Sequence, residues 1–416
     1  MSIDKTILII GTFDTKDDEL GYVRSCITAQ GGAALTMDVS VLGDPSSPTD
    51  FSKHAVAQEG SHTIAEAIDS GDENHAMQIM AKGASLLTQR LVRERRVDGV
   101  IILGGSMGTD LALDVCNAVP MGVPKYIVST VSFSPLLPPE RIPADVQMIL
   151  WAGGLYGLNS ICKSSLSQAA GAVLGAASAV APPQWDRPLI GMTSFGKTIL
   201  HYMVHLKPAL EARGYEVAVF HATGMGGRAF ESLAAEGAFA CVMDFATQEI
   251  GNHMFGGLSA GADRMTNAGM TATPQLIAPA CYDLCDLAGH QPLPPAFEGY
   301  EAHDHNRLLK AVMLDTDQRR AVARAHCEKL AIAEGPTHVF LPTAGLNEWD
   351  RPGAPLHDAD GLAAFCDTFI AECPKSVPLD VMDCHINDPA FCSRVLEVFD
   401  EWVAAGKIAA GPKGRT

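Results

Sequence analysis

Positive charge is in short supply in this chain: 30 Lys and Arg stand against 48 Asp and Glu, a formal net charge of −18. Such a chain repels polyphosphate backbones, which argues against nucleic acid as a non-specific partner. A single ligand phosphate can still be held where backbone amides, rather than net charge, bind it. Long apolar runs are also missing. No uninterrupted stretch reaches membrane-spanning length, and Asp4 and Lys5 interrupt the start ahead of a merely strand-length run, Ile7 to Ile10. Neither a signal peptide nor a membrane partner is therefore expected. The 11 cysteines are odd in number and scattered, and Cys281 and Cys285 lack the paired spacing of a zinc knuckle. They read as reduced, mostly buried residues of a cytoplasmic protein. The strict Gly-x-Gly-x-x-Gly dinucleotide fingerprint is absent as well.

What is present is ample core material: 416 residues, 47% hydrophobic and only 19% charged, enough for two or three domains. Thr6 to Ile10 reads as a strand running into Gly11, Thr12, Phe13, Asp14, Thr15 and Lys16. A helix from Glu19 to Ala29, a glycine pair and a strand ending at Asp38 follow, the syntax of a parallel sheet. Asp38 either holds a ribose hydroxyl or caps the following loop. Glu73 to Arg95 is a long helix whose Met77, Met80, Ala84, Leu87 and Leu91 form a core stripe. The stretch from 181 to 184 (Ala-Pro-Pro-Gln) reads as a linker, dividing the chain into 1–181 and 182–416. The second half restarts with a strand, Gly191, a helix, Gly214 and another strand. The fold class expected is α/β: two Rossmann-like subdomains, each a mostly parallel sheet flanked by helices.

Three glycine-rich turns carry the candidate chemistry. In the first, an apolar strand (Val100 to Leu103) meets Gly104, Gly105, Ser106, Met107, Gly108 and Thr109 and then a helix. Backbone N–H groups at a helix start make an anion cradle, and Thr109 can cap the helix or donate to the same anion. A tight strand-to-helix turn without ligand is the equal alternative. In the second, Gly191, Gly196, Lys197 and Thr198 match the Gly-x-x-x-x-Gly-Lys-Thr phosphate loop, with Asp244 ending a later strand as a candidate magnesium-holding acid. The third is His221 to Arg228, where Gly224, Gly226, Gly227 and Arg228 suit a carboxylate or phosphate. Three ionisable clusters remain: Asp244, Glu249 and His253; His303, Asp304 and His305; and Asp383, His385, Asn387 and Asp388. None meets a recognised metal-ligand spacing.

Taken together, Gly-Thr-Phe-Asp-Thr-Lys at Gly11, Gly-Gly-Ser-Met-Gly-Thr at Gly104, Gly-Leu-Asn-Ser at Gly157, Phe-His-Ala-Thr-Gly-Met-Gly-Gly-Arg-Ala at Phe220 and His-Ile-Asn-Asp-Pro at His385 resemble the Tm-1-like ATP-binding family. That family comprises the amino-terminal domain of the plant tobamovirus-resistance protein and its bacterial relatives. The resemblance spans nearly the whole chain. It implies two Rossmann-like subdomains, ATP bound in the first, and a homodimer. The plant protein carries a further barrel domain after this region. On this resemblance, any barrel partner would be a separate protein. Relatives are expected to carry Gly-Val-Thr where this chain has Gly196, Lys197 and Thr198, which demotes the phosphate-loop match.

The leading expectation is an ATP-binding enzyme of small-molecule metabolism acting on an anionic metabolite in an inter-domain cleft. Phosphates would sit on Gly104 to Thr109, with Gly11, Thr12, Thr15 and Lys16 completing the pocket and Asp14 holding Mg²⁺ or a hydroxyl. Thr130, Ser132 and Asn159 would line the base or ribose. Thr193 and the 224–228 loop would take the second substrate, and His221, Asp244 and Glu249 are the candidates for proton transfer. The alternatives are a nucleotide-sensing module without turnover, and a phosphate-loop NTPase using Lys197, Thr198 and Asp244.

Overall fold

The computed structural model describes residues 4–179 and 186–412, without the side chains of Lys197, Ile199 and Leu200. The linker expected at 181–184 lies outside the described residues. The chain divides into two compact units, Met1–Gln184 and Trp185–Thr416.

Unit 1 runs β1 (Thr6–Gly11), α1 (Phe13–Ala29), β2 (Ala33–Asp38), α2 (Lys53–Glu59), α3 (Ile64–Asp69), α4 (Glu73–Arg93), β3 (Gly99–Gly104), α5 (Ser106–Ala118), β4 (Lys125–Ser129), β5 (Gln147–Leu150) and α6 (Ser160–Ala179). Its five strands are all parallel, in the order β2-β1-β3-β4-β5. The strands read as continuous apolar runs because both faces are covered. Period-two alternation divides them: Leu8, Ile10, Val100 and Ile102 join the core with the α4 stripe of Met77, Met80, Ala84, Leu87 and Leu91. Ile7, Ile9, Ile101 and Leu103 face the other core, shared with α1 and α6.

Unit 2 runs β6 (Leu189–Ser194), α7 (Gly196–Ala212), β7 (Glu216–His221), α8 (Met225–Ala235), β8 (Cys241–Asp244), α9 (Glu249–Phe255), α10 (Asn267–Met270), β9 (Gln275–Ile277), β10 (Leu284–Ala288), β11 (Ala302–Asp304), β12 (Leu309–Met313), α11 (Thr316–Ala331), β13 (Thr337–Pro342), α12 (Ala359–Glu372), β14 (Leu379–Met382) and α13 (Pro389–Ala404). Six strands form a second all-parallel sheet, β14-β13-β9-β8-β6-β7. A small antiparallel sheet, β10-β12-β11, is inserted between β9 and α11. The α/β class with two doubly wound sheets is thus observed.

Two local features depart from the periodicity. The first helix opens at Phe13 rather than near Glu19, because the Phe13 N–H donates to Asp38 Oδ1 (3.2 Å), a cap supplied from the neighbouring strand; the helix is interrupted at Lys16, which sits at φ −132°, ψ 26°. The helix α2, which no apolar period announces, is capped instead by Ser52, whose hydroxyl accepts from Ala55 N–H (3.3 Å). All eleven cysteines are free and nine are buried.

Candidate functional site

In unit 1 the connection from β1 runs outward to β2, and the chain then returns to place β3 on the other side of β1. The carboxyl ends of β1 and β3 therefore splay their following loops apart, and open α/β sheets bind ligands in the crevice so formed. A cavity of about 600 Å³ lies there. Its polar wall comes from the two turns: Gly11, Thr12, Asp14, Thr15 and Lys16 after β1, and Gly104, Gly105, Ser106 and Gly108 after β3. Its apolar wall, which sequence reasoning missed, comes from Val39, Val41 and Leu42 after β2, from Ala67 and Ile68 of α3, and from Ala76 and Met77 of α4. The sole local signal for it is the run Val39-Ser40-Val41-Leu42, apolar residues in what otherwise reads as a loop.

The polar wall is arranged for an anion. Gly105 is the N-cap of α5 and offers no side-chain cap, so the first N–H groups of that helix, on residues that line the cavity, have neither a side-chain cap nor an intrahelical acceptor. The approach is close because Gly104 has no side chain: a Cβ there would stand 2.5 Å from the Gly108 Cα. Lys16 Nζ donates to the hydroxyls of Thr12 (3.3 Å) and Thr15 (3.2 Å), which hold the ammonium at the wall. Asp14 accepts from Gly43 N–H through Oδ2 (3.2 Å), while its Oδ1 is buried with no hydrogen-bond partner. A buried carboxylate oxygen without a partner needs a donor or a cation.

Five expected nucleotide contacts fall elsewhere. Asp38 is buried; its Oδ1 caps its own surroundings, accepting from Phe13 N–H, Ser40 N–H (3.0 Å) and the Ser40 hydroxyl, while its Oδ2, like Asp14 Oδ1, is buried with no hydrogen-bond partner. The Thr109 hydroxyl donates to Gly105 O (2.7 Å) and meets Ser129 Oγ (2.6 Å), so it braces the helix start. Thr130 donates its N–H to Gly104 O, Ser132 donates to Ile149 O, and Asn159 Oδ1 caps α6 by accepting from Ile161 and Cys162 N–H. None of the five lines the cavity. The last three follow β4 and β5, while the cavity extends toward β2.

Unit 2 repeats the topology but fills its turns with its own side chains. Arg264, fully buried, donates to Asp244 Oδ2 (2.5 Å) and Oδ1 (2.7 Å), Glu249 Oε2 (2.8 Å), Glu231 Oε1 (3.2 Å) and Ala246 O (3.0 Å). Burial opposes its charge, but the carboxylates outweigh it and hold its pKa well above the ordinary value. Burial in turn pushes Glu249 and Glu231 above the ordinary carboxylate range despite the attraction of Arg264. Glu249 Oε1 also accepts from Gly224 N–H (2.5 Å), and a Cβ on Gly227 would lie 1.9 Å from Glu249 Oε2. The glycines of this turn therefore make room for an internal carboxylate. Gly226 lets the helix approach the His221 carbonyl, where a Cβ would come within 1.9 Å. Arg228 is taken by Asp263 through contacts of 2.8 and 2.9 Å. Thr193 donates to Asp244 (2.8 Å) and accepts from Phe245 and Ala246 N–H (both 3.0 Å).

Of the three expected proton-transfer residues, then, Asp244 and Glu249 are bound to Arg264 in the interior. His221 alone is exposed, its Nδ1 3.2 Å from Thr223 Oγ1. Arg264, far from any motif, gave no sequence signal. The phosphate-loop reading loses its acid to the same guanidinium, and the Thr198 hydroxyl accepts from Glu348 N–H (3.0 Å); the Lys197 side chain lies outside the described residues.

Fold and cavity together define a two-unit α/β protein with a cavity at the switch point of its first sheet. Family comparison makes this specific. Residues 5–182 match the N-terminal domain and residues 187–403 the C-terminal domain of the family described as "Uncharacterised protein family (UPF0261)". The chain belongs to the UPF0261 family. It is 50% identical over 406 residues to a UPF0261 protein of Brucella melitensis, covering 97% of both chains, and 32% identical over 392 residues to one of Clostridium tetani, covering 94% of this chain and 96% of that one. It is also 28% identical to the ToMV resistance protein Tm-1(GCR237) of Solanum lycopersicum, over 95% of this chain and 55% of the tomato protein. The Tm-1-like resemblance read from the motifs is thereby shown.

Proposed function

We propose that unit 1 binds ATP in the β1/β3 crevice, as the Tm-1-like resemblance implies. The observation that carries this is a cavity lined by an uncapped 13-residue helix start, by a lysine, and by apolar side chains after β2 and from α3 and α4. A nucleotide is an anion joined to a flat apolar base, and this wall matches both halves. The phosphates sit on the N–H groups of residues 106–108 with Lys16 offsetting their charge. Asp14 Oδ1, buried and unpartnered, suits a Mg²⁺ ion carried by the phosphates or a ribose hydroxyl. The base occupies the slot of Val39, Val41, Ile68 and Met77. Isothermal titration with ATP tests the reading: a single saturable site, weakened by Lys16→Ala, is expected, and absence of heat together with no competition by ADP overturns it.

We place no metabolite on the 224–228 turn, because Glu249 takes the Gly224 N–H and Asp263 takes the Arg228 guanidinium. An enzyme acting on a small anionic metabolite remains the leading class, with His221 the one expected proton-transfer group open to solvent. The locked state of Asp244 and Glu249 favours a second reading: a nucleotide-dependent binding module acting through a partner, such as a separate barrel-domain protein. Turnover assays with ATP divide the two, since the second predicts binding without hydrolysis and nucleotide-dependent co-purification. A homodimer is proposed with either, read by light scattering.

A further inference from the structure

The two edges of the unit 1 sheet are finished differently. At β2 the chain blocks its own edge: Phe51 O accepts from Asp38 N–H and Phe51 N–H donates to Thr36 O, both at 2.9 Å. At β5, the other edge, no described residue does this. Trp151 N–H pairs inward with Ser129 O (2.9 Å), so by the alternation of a strand the N–H and C=O groups of Met148 and Leu150 turn outward. The strand reads Gln-Met-Ile-Leu, with neither a charge nor a proline. An edge without such protection is a template for pairing with another chain.

The loops that leave the carboxyl ends of β4 and β5 add apolar side chains beside this edge. Phe133 (76% exposed), Leu136, Leu150, Tyr156 (98% exposed) and Ile161 all stand in solvent. Ser132 Oγ, donating to Ile149 O (3.3 Å), ties the first loop to the strand. In the second loop Leu155 is buried and Gly157 N–H donates to the buried Glu19 (2.7 Å), so Tyr156 is held outward between two anchors. Phe133 sits at φ 63°, which a bulky residue adopts only at a cost. Rings already fixed in place lose little freedom when a partner covers them, which makes them good interface anchors. The five side chains together offer about 600 Å² of surface. Two copies would bury about 1,200 Å² through them, the lower end of a stable interface before the strand edge itself is added.

We infer that the β5 edge and its flanking loops are a self-association surface, on which a second copy of the chain docks by antiparallel pairing of β5 with β5. This rests on the homodimer proposed above and gives it a location. A two-fold axis at Ile149 sets Met148 of one copy opposite Leu150 of the other. These are the residues whose backbone groups point outward, so each pair exchanges two hydrogen bonds, and two five-stranded sheets become one of ten strands. No residue of β5 is charged, so the strand meets its own copy without repulsion.

The test is size-exclusion chromatography with light scattering, and sedimentation, on the full-length protein. The wild type is expected to be a dimer. Tyr156→Ala is expected to raise the dimer Kd about 30-fold or more, the effect of losing an interface anchor. Leu150→Lys is expected to give a monomer, with circular dichroism and a thermal melt confirming the fold. Adding Met148→Glu to Leu150→Lys sets opposite charges across the pairing and is expected to restore the dimer. Val381→Lys, on the exposed edge strand β14 of unit 2, is expected to leave the dimer unchanged. A monomeric wild type overturns both this surface and the homodimer. A dimer that survives Leu150→Lys and Tyr156→Ala overturns this surface alone, and a charge pair that restores nothing overturns the antiparallel register.

Discussion

The turn after β3 in unit 1 and the turn after β7 in unit 2 are built from the same vocabulary: an apolar strand, three glycines within a few residues, and a helix. In the first the glycines bring an uncapped helix start to the edge of a cavity. In the second they admit the carboxylate of Glu249, which takes the Gly224 N–H and is held from behind by Arg264. Both turns satisfy the same electrostatic demand, negative charge against exposed amides. One leaves the demand for a ligand and the other meets it from within the chain. A glycine-rich turn in a sequence therefore reports a close approach of something to the backbone, and does not say whether that something is a ligand or another part of the protein.

The comparison breaks most visibly at Arg264. Removing one partner of a buried ion cluster leaves uncompensated charge, so Arg264→Ala is expected to destabilise unit 2 by about 3–5 kcal/mol, read by urea unfolding; an unchanged midpoint would show that the carboxylates there need no guanidinium. Next comes Gly227→Ala, whose methyl group is forced into Glu249. It is expected to cost about 1–3 kcal/mol by overpacking, seen as a lowered melting temperature with ATP binding retained. In unit 1 the corresponding change acts on ligand rather than fold. Lys16→Ala removes a charge-assisted contact worth about 1.5–3 kcal/mol, so ATP affinity is expected to fall roughly 10- to 100-fold in titration calorimetry at near-constant stability. Arg228→Ala, already paired internally with Asp263, is expected to leave ATP affinity unaltered.

The smallest and most diagnostic effect is in pH. Burial raises Asp286 to about 7 and Asp283 to about 6, both in unit 2, whereas the shifted carboxylates of unit 1, Asp44, Glu59 and Glu66, all move downward. A carboxyl group whose folded pKa is raised binds more protons folded than unfolded, so its contribution falls as pH rises from about 4 to its folded pKa. His326, buried and lowered to about 4, has the opposite slope between about 4 and 6.5 and offsets part of this. Asp286→Asn is therefore expected to be more stable than the wild type at pH 8 relative to pH 5, the difference growing through pH 4 to 7. A pH-independent difference would mean that Asp286 titrates normally.

Much of the architecture is legible in the residues in order. The runs Ile7 to Ile10 and Val100 to Leu103 announce buried parallel strands, and the α4 stripe announces its packed face, because both follow from the backbone periods of 2 and 3.6. The polar wall of the cavity is legible too, since it lies directly after those strands in residues 11–16 and 104–108. The apolar wall is not, because α3, α4 and the end of β2 reach it from separate parts of the chain. Nor is the inserted antiparallel sheet, whose strands are three to five residues long and lack a turn signature.

By itself, then, the sequence determined the strands, the helices and where glycines permit close approach, since these depend on neighbours within a few residues. Tertiary structure alone decided what stands opposite each glycine. Glu249 reaches Gly224 from 25 residues away and Arg264 reaches Asp244 from 20, while Trp349, in the loop after β13, meets His303 and His305 of the small antiparallel sheet and its end. Electrostatics and desolvation depend on distance in space, and no local pattern carries that distance.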